Sequence, residues 1–281
     1  MLASRRRQQG FTLVELIVVI VLLGIVGTFS FQFIGFGAQI FTDTTSRDQL
    51  VNQSRFALQR LQSELRNSLP RSARINLADH SRCIEFVPIV TSGQYLQLPR
   101  PGLGRDADFI AIAPARVTGL EGQFVSVFAT NQAFIYGDDR ARRKPITQVT
   151  MDEPSSGLVT FAFDSDASAP GFPTDSPAQR FYITSSAVSW CVDDRQQLVR
   201  FTGYEDRALQ PTLAWLRNEA TEQHVMATGV ANVLTEEQAP FRSLEPTLQR
   251  SSLIQIDWRL RSERRGEPLN VFHEVHVPNV P

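Results

Sequence analysis

The sequence predicts an α+β protein, in which one long N-terminal helix packs on a β-rich globular domain of two mostly antiparallel sheets. A helical pattern, first apolar and then amphipathic, runs without a proline from Phe11 to Ser68, and Pro70 ends it. About ten short segments follow, in which apolar and polar residues alternate between Gly, Pro, Asp and Asn. One helix followed by many strands is typical of the α+β class, and so many strands favour two sheets over one.

The first half of the predicted helix, residues 11–37, is apolar and long enough to cross a membrane. At about 1.5 Å per residue it exceeds the ~30 Å hydrocarbon layer of a bilayer. The basic leader before it, residues 1–10, contains Arg5, Arg6 and Arg7, which by the positive-inside rule hold the N-terminus in the cytoplasm. The rest of the chain is therefore expected in the periplasm, behind a single membrane span.

Glu15 is the unusual residue of this apolar segment. An ionisable side chain within a membrane span costs on the order of a few kcal/mol, and it therefore indicates a function and a partner. If the chain is cut after Gly10, the new amine of Phe11 carries a positive charge that can serve as this partner.

The second half of the predicted helix, residues 38–69, is amphipathic, and its apolar face can pack on a sheet. This face recurs every three or four residues and consists of Leu50, Ser54, Ala57, Leu58, Leu61, Leu65 and Leu69. Four glycines weaken the helix before it, namely Gly24, Gly27, Gly35 and Gly37. Two interpretations of these glycines are open, local melting of the helix and close packing of small residues in the membrane.

Residues 70–281 form the predicted globular domain. Its candidate strands are 82–90, 107–113, 123–129, 132–136, 157–163, 180–192, 197–204, 223–234, 252–261 and 269–277. The polar or proline-rich segments 138–156 and 164–179 predict loops, and a short helix fits residues 207–218.

The charge of the chain does not indicate a nucleic-acid-binding protein. The 281 residues carry a net charge of −1, from 28 basic and 29 acidic residues. Loss of residues 1–10 removes three arginines, which leaves 25 basic and 29 acidic residues and a net charge of −4. Proteins that bind nucleic acids usually have a basic surface.

The two cysteines, Cys83 and Cys191, lie in strand-like segments beyond the membrane span. An oxidising periplasm permits a disulfide between them, and closing so long a loop would stabilise the fold by several kcal/mol in the chain-entropy account. Two separate buried thiols are the alternative. A metal site is not favoured, because no other soft ligands cluster near either cysteine.

The N-terminal residues resemble the signal of type IV pilins and type II secretion pseudopilins. The similarity rests on the basic leader, on Gly10, on the run Phe11-Thr-Leu-Val-Glu15 and on the apolar stretch through Val26. The resemblance implies that prepilin peptidase cleaves between Gly10 and Phe11 and that the Phe11 amine is then methylated. It also implies that Glu15 pairs with the Phe11 amine of a neighbouring subunit during assembly.

The resemblance implies a structural subunit, not an enzyme, that needs no cofactor. The implied partners are prepilin peptidase, other major and minor pilins, the inner-membrane assembly platform and membrane lipid, and no nucleic acid is expected. The implied location is the inner membrane, with the globular domain in the periplasm, and later the pilus at the cell surface. The long globular part is similar to the large minor pilins of the J-type and PilW-like group, and its layout is most similar to biogenesis subunits of the MSHA (mannose-sensitive haemagglutinin) pilus.

Three other interpretations of the N-terminus are weighed against this one. A secretory signal peptide requires a shorter apolar region without Glu15. A plain membrane anchor fits the length but explains neither Glu15 nor the residues after Gly10. A membrane-tethered periplasmic binding or adhesion protein that does not polymerise is the main functional alternative, and the role of Glu15 separates it from a pilin.

Two short motifs suggest chemistry but lack its context. Gly102-Leu-Gly104 matches the glycine pattern of a dinucleotide-binding loop. However, it follows prolines, and no strand–helix unit is predicted around it. His273 and His276 suggest a metal site, but on a strand their side chains point to opposite faces.

Three acidic residues are weak candidates for metal binding, although the prediction for this chain is that it has no metal site. Asp164, Asp166 and Asp175 are spaced like some ligands of a calcium loop, but Ala169 replaces the glycine that such a loop requires.

The basic run 140–144 is predicted to be a solvated part of a loop, because acidic residues flank it.

Overall fold

A computed structural model describes residues 10–76, 82–100, 109–137, 140–151, 156–163, 171–235, 238–244, 252–261 and 268–277. These ranges contain the helices α1 (Leu13–Arg66), α2 (Gln132–Tyr136) and α3 (Leu213–Glu219). The chain divides into two compact units, Met1–Gln49 and Leu50–Pro281. The apolar part of α1 belongs to the first unit, and all the strands belong to the second.

Strands make up most of the second unit. They are β1 (Arg74–Ile75), β2 (Cys83–Phe86), β3 (Ile89–Gln97), β4 (Phe109–Ile112), β5 (Phe124–Ser126), β6 (Arg143–Met151), β7 (Leu158–Phe163), β8 (Arg180–Thr184), β9 (Val188–Val192), β10 (Gln197–Thr202), β11 (Glu222–Thr228), β12 (Phe241–Leu244), β13 (Ser252–Leu260) and β14 (Leu269–Val277).

These strands form two open sheets and one closed barrel. The larger sheet has the order β1-β2-β9-β10-β11, the smaller sheet has the order β12-β13-β14, and the barrel has the order β3-β4-β7-β6-β5-β8. The paired strands run antiparallel throughout. The predicted α+β class, with a long N-terminal helix and antiparallel sheets, is confirmed, and the barrel is present in addition to two open sheets.

Residues 50–66 of α1 share one core with both open sheets. Ala57, Leu61 and Leu65 are fully buried, and their four-residue spacing places them on one stripe of the helix. They lie in the same cluster as Trp190 of the larger sheet and Trp258 of the smaller one. This core therefore holds the C-terminal part of α1 in the globular unit.

The opposite face of the larger sheet packs against α2 and α3. Because side chains alternate along a strand, Ile84 and Trp190 lie in the core with α1, whereas Cys83 and Cys191 lie in a second core on the other face. The helices contribute Ile135, Tyr136, Leu213 and Leu216 to this second core. The larger sheet is therefore covered on both faces.

Aromatic side chains fill the barrel. The centroid of the Phe109 ring lies 5.4 Å from that of Phe181 and 5.7 Å from those of Phe161 and Phe163. All three pairs are edge-to-face, which is a favourable arrangement of aromatic rings. The barrel is therefore built around a packed core of its own, as small barrels are.

Some local predictions are wrong. Residues 132–136, predicted as a strand, form α2, because the side-chain oxygen of Asn131 accepts a hydrogen bond from the backbone N–H of Phe134 at 2.9 Å and caps the helix. Residues 143–151, predicted as part of a loop, form β6. The predicted strand 180–192 contains two strands, β8 and β9, that belong to the barrel and to the larger sheet.

The C-terminal hairpin is close to its prediction. The segments 252–261 and 269–277 form β13 and β14, and Ser252 to Leu260 pair with Val277 to Leu269 without a break in register. In the predicted helical stretch 207–218, α3 begins only at Leu213, because Thr212 caps it through its side chain.

Candidate functional site

The predicted cleavage position lies directly before the start of α1. Gly10, Phe11 and Thr12 are not helical, and the helix begins at Leu13. The Thr12 hydroxyl oxygen accepts a hydrogen bond from the backbone N–H of Glu15 at 3.3 Å, and the Thr12 carbonyl accepts one from Leu16 at 3.2 Å. Thr12 therefore caps the helix, and Phe11 lies outside it.

Glu15 occupies the first turn of α1. A carboxylate is favourable there because the unpaired N–H groups at a helix N-terminus carry partial positive charge. Thr12 and Glu15 have the spacing of a capping box, a signal that is visible in the sequence but that the sequence analysis did not use. No ion pair joins Glu15 to another residue within the described ranges, so its carboxylate can accept a partner from outside the chain.

The apolar part of α1 exposes its side chains all around. Phe11 is 79% exposed, and the large apolar side chains from Leu13 to Phe36 are likewise exposed. Within the described residues, α1 is the one helix that is long and apolar enough to cross a membrane. A helix without a polar face suits hydrocarbon or the apolar surfaces of other helices.

The polar side chains of the apolar part bond to its own backbone. The Thr28 hydroxyl donates to the carbonyl of Ile25 at 2.8 Å, and the Ser30 hydroxyl donates to the carbonyl of Val26 at 2.8 Å. Such bonds remove the cost of placing a hydroxyl in lipid.

The four glycines do not interrupt α1. The helix continues through Gly24, Gly27, Gly35 and Gly37, and a Cβ atom added to any of them would meet nothing within 4 Å. Packing within the described part of the chain therefore does not require glycine at these four positions. Local melting and small-residue packing against other helices both stay predictions.

Cys83 and Cys191 form a disulfide. They are directly opposite each other on β2 and β9, with Cα atoms 4.1 Å apart, and both are buried. Of the two alternatives that the sequence leaves open, the structure therefore has the cross-link, which ties two neighbouring strands of the larger sheet.

A buried polar network lies on the same face of the sheet as the disulfide. Glu85 of β2 accepts hydrogen bonds from the Arg74 guanidinium at 2.6 Å and from the Tyr204 hydroxyl at 3.1 Å. Burial raises the pKa of Glu85, and the neighbouring Arg74 and Tyr204 only partly offset this effect. Burial also raises the pKa of Tyr204 well above its usual range. Sequence analysis missed this network, because its members are far apart in the chain.

A second buried ion pair joins Arg143, in β6 of the barrel, to Asp206, in the loop that follows β10 of the larger sheet. Arg143 and Asp206 have side chains that are 0% and 2% exposed, and they bond at 2.6 Å. Arg143 also donates to the carbonyl of Ser185 at 2.9 Å, and Asp206 accepts the backbone N–H of Ala187 at 2.7 Å.

The prediction that residues 140–144 are a solvated basic loop is therefore wrong for the second half of this run. Arg143 is buried in this ion pair, Lys144 is nearly buried beside the ring of Phe172, and Arg142 stacks 4.1 Å from the ring centroid of Phe134.

The weak metal candidates are not brought together in the part of the chain that can be described. Asp164 and Asp166 lie outside the described residues, as do Gly102 and Gly104, whereas Asp175 forms an ion pair with Arg100. On β14, the His276 side chain is exposed and that of His273 is half-buried on the opposite face. Across the described ranges, no cluster of three His, Cys, Asp or Glu side chains is placed to hold a metal ion.

Comparison with known proteins identifies one segment of the chain. A family model described as the prokaryotic N-terminal methylation motif matches residues 5–31. No curated protein and no solved structure shows significant similarity to the chain. The matched segment contains Gly10, Phe11, Thr12 and Glu15, and it ends within the exposed apolar part of α1. The chain therefore carries the N-terminal methylation motif, which supports a type IV pilin-like protein that is anchored in a membrane, processed by prepilin peptidase and assembled with other pilins.

Proposed function

We propose that the chain is a minor pilin-like subunit of an MSHA-type pilus that helps to initiate or cap filament assembly and has no catalytic activity. The observation that carries this proposal is the methylation motif at residues 5–31, with Glu15 in the first turn of an otherwise apolar helix. The more specific assignment, to an MshO-like subunit, rests on the resemblance of the globular part: the Arg82-Cys-Ile-Glu-Phe and Ser189-Trp-Cys-Val segments and the C-terminal hairpin.

Cleavage after Gly10 would make Phe11 the first residue, two positions before the helix begins. Its amine would carry a positive charge at a helix end that already has partial positive charge. A carboxylate nearby offsets that cost, and Glu15 of a neighbouring subunit supplies one. The attraction between two buried opposite charges offsets the loss of their hydration only in good geometry. This pair therefore favours one longitudinal register between neighbouring helices.

The exposed apolar side chains between Leu13 and Phe36 supply the driving force for assembly. They are covered by lipid before assembly and by other pilin helices afterwards, so that neither state exposes them to water. In this scheme the globular unit is held in the periplasm, where the disulfide is stable, and it contacts other minor pilins.

The first experiment is an intact mass measurement on the protein from membranes of cells with and without prepilin peptidase. We expect a chain that begins at N-methylated Phe11 only when the peptidase is present. A chain that keeps residues 1–10 in both strains would contradict the proposal and would favour a simple membrane anchor.

The second experiment tests Glu15 by counting pili and the subunit within them. Glu15→Gln keeps the size of the side chain and removes its charge, so we expect processing to continue and incorporation to fall at least tenfold. Asp43→Asn removes a carboxylate from the same helix beyond the apolar part, and it serves as the matched control with normal incorporation. Processed protein with normal piliation in the Glu15→Gln strain would favour a tethered binding or adhesion protein that does not polymerise.

A further inference from the structure

Two sheet edges in the globular unit are long and unpaired. The open sheets end in β1, β11, β12 and β14, of which β1 has two residues and β12 has four. By contrast, β11 has seven residues and β14 has nine, and among the described residues each pairs along one side only. An unpaired strand edge presents a row of backbone N–H and C=O groups that another strand can bond.

The β14 edge has few of the features that keep other strands away. Edge strands are usually interrupted by a bulge, a proline or a lysine. Residues 269–277 contain no Pro, Lys or Arg, and β14 pairs with β13 over nine residues without a register shift. Its outer face also exposes a large aromatic side chain, Phe272, which is 61% exposed.

The β11 edge is regular over its first residues. The register of β10 and β11 shifts beside Met226, but Glu222 to Val225 pair continuously with Thr202 to Val199. The side chains of Glu222 and His224 are 64% and 60% exposed, and they lie on the same face because they are two positions apart.

The two edges carry matching side chains. In β14, Glu274 and His276 are also two positions apart and exposed on one face. If β14 of one molecule runs antiparallel to β11 of another, one register places Glu222 opposite His276 and His224 opposite Glu274. Each carboxylate then faces an imidazole, whose N–H can donate a hydrogen bond to it, and no like charges are directly opposite each other.

The carboxylates remain available for this contact. Glu222 uses one oxygen, which accepts from the Thr202 hydroxyl at 3.0 Å and lies 3.7 Å from His224. Glu274 uses one oxygen to accept from the side-chain amide of Gln255 at 2.9 Å. In each case the second oxygen can face the other molecule.

We propose that β11 and β14 form an intermolecular sheet between two copies of this chain. A second copy is the favoured occupant because one sequence supplies both edges and antiparallel pairing matches each acid with an imidazole. Pairing of β11 with β11, or of β14 with β14, would match them as well, and cross-linking distinguishes these arrangements. The contact joins two different surfaces, so it is heterologous and leaves one free edge on each outer molecule. It lies within the globular unit and does not depend on processing of the N-terminus.

Cross-linking of the full-length chain in its own membrane tests this contact. The native cysteines bond to each other, so an introduced cysteine is the free thiol of each variant. Two differently tagged chains, His224→Cys and Glu274→Cys, are produced together and mildly oxidised. Gln223→Cys with Glu274→Cys is the matched control, because Gln223 neighbours the test position but points to the opposite face.

We expect a disulfide-linked dimer with both tags at a yield at least fivefold above the control pair. Equal yields from the two pairs would overturn the proposal, as would no dimer from variants that resist protease like the parent chain. Dimers of Glu274→Cys with itself would indicate pairing of β14 with β14 and would also overturn it. A cross-link to a protein of another mass would show that a different subunit occupies the edge, and it would also overturn the proposal. Cross-linking of an unprocessed chain would contradict the proposed function but support this contact.

Discussion

The indole N–H of Trp190 in β9 donates a hydrogen bond to the carboxylate of Glu64 in α1, at 3.0 Å. The same carboxylate accepts a bifurcated hydrogen bond from Arg200 in β10, at 3.1 and 3.2 Å. One helix residue thus contacts two neighbouring strands at the border of the core. Because the Glu64 side chain is only 13% exposed, its loss would leave both donors poorly solvated.

Glu64→Ala is therefore expected to lower the free energy of unfolding by about 2–3 kcal/mol, since it removes hydrogen bonds to a charged acceptor. Glu64→Gln should lose less, because its amide oxygen can still accept from the indole. Urea unfolding in detergent micelles, followed by tryptophan fluorescence, measures both. Gln59→Ala, at an exposed position of the same helix, is the control and should change the value by no more than about 0.5 kcal/mol. An Ala variant as stable as the control would show that this contact does not hold the helix.

Removal of the disulfide should destabilise the globular unit strongly. The bond joins residues 108 positions apart, and a loop of about that length corresponds to ~4.7 kcal/mol in the chain-entropy account. The Cys83→Ala/Cys191→Ala protein should therefore lose about 4–5 kcal/mol in urea unfolding. Dithiothreitol should weaken the parent chain to a similar extent and leave the double variant unchanged. A double variant within about 1 kcal/mol of the parent would contradict this expectation.

The Arg143–Asp206 pair should be far more sensitive to the loss of one partner than of both. Asp206→Asn leaves a buried guanidinium without its anion, which typically costs about 3–5 kcal/mol. Replacing the pair together, as Arg143→Met/Asp206→Leu, removes both charges and should cost clearly less than the single change. Thermal unfolding of the three proteins measures the difference. If the double variant is the least stable of the three, the hydrogen bonds that Arg143 and Asp206 make to the backbone contribute more to stability than the neutralisation of their charges.

Glu85 should give the protein an unusual pH dependence. Burial raises the pKa of Glu85 in the folded state above its value in the unfolded chain. Its contribution to stability is therefore fully present below the unfolded pKa and is lost as the pH rises through the folded pKa. Glu85→Gln does not titrate, so its stability relative to the parent should increase as the pH is raised from about 4 towards neutrality. Urea midpoints of both proteins across this range provide the test, and a constant or falling difference would contradict it.

The features that the sequence predicts most reliably are the secondary structures that depend on local patterns of apolar and polar residues. The stripe of Ala57, Leu61 and Leu65 has helical spacing, and it is buried as expected. Apolar and polar residues alternate along most of the C-terminal hairpin, and β13 and β14 lie within one residue of their predicted bounds. Glu15 stands out by charge alone in an apolar run, and it lies within the segment that matches the methylation motif, whereas its role in assembly stays a prediction.

The remaining features depend on contacts between distant parts of the chain. The segment 132–136 has an apolar composition that fits a strand, but it forms a helix that is capped by Asn131 and packs into the second core. Residue type alone predicts that Arg143 lies at the surface. Its burial depends on the ion pair with Asp206, which is 63 positions later in the chain. Closure of the barrel likewise requires β3 to pair with β8, a long-range contact that no local period encodes.

The pairing of β2 with β9 has a further consequence for the architecture. These strands are neighbours in the sheet, with Phe86 opposite Val188 at one end of the pair, yet the whole barrel lies between them in the sequence. The barrel is thus an insertion within a hairpin, and the disulfide fastens that hairpin on the sheet side. A short turn between Phe86 and Val188 would leave the strand order of the larger sheet unchanged, at the loss of α2 and Arg143. The inserted segment therefore supplies more than the barrel, because without it one face of the larger sheet would lose the cover of α2 and the buried Asp206 would lose its partner.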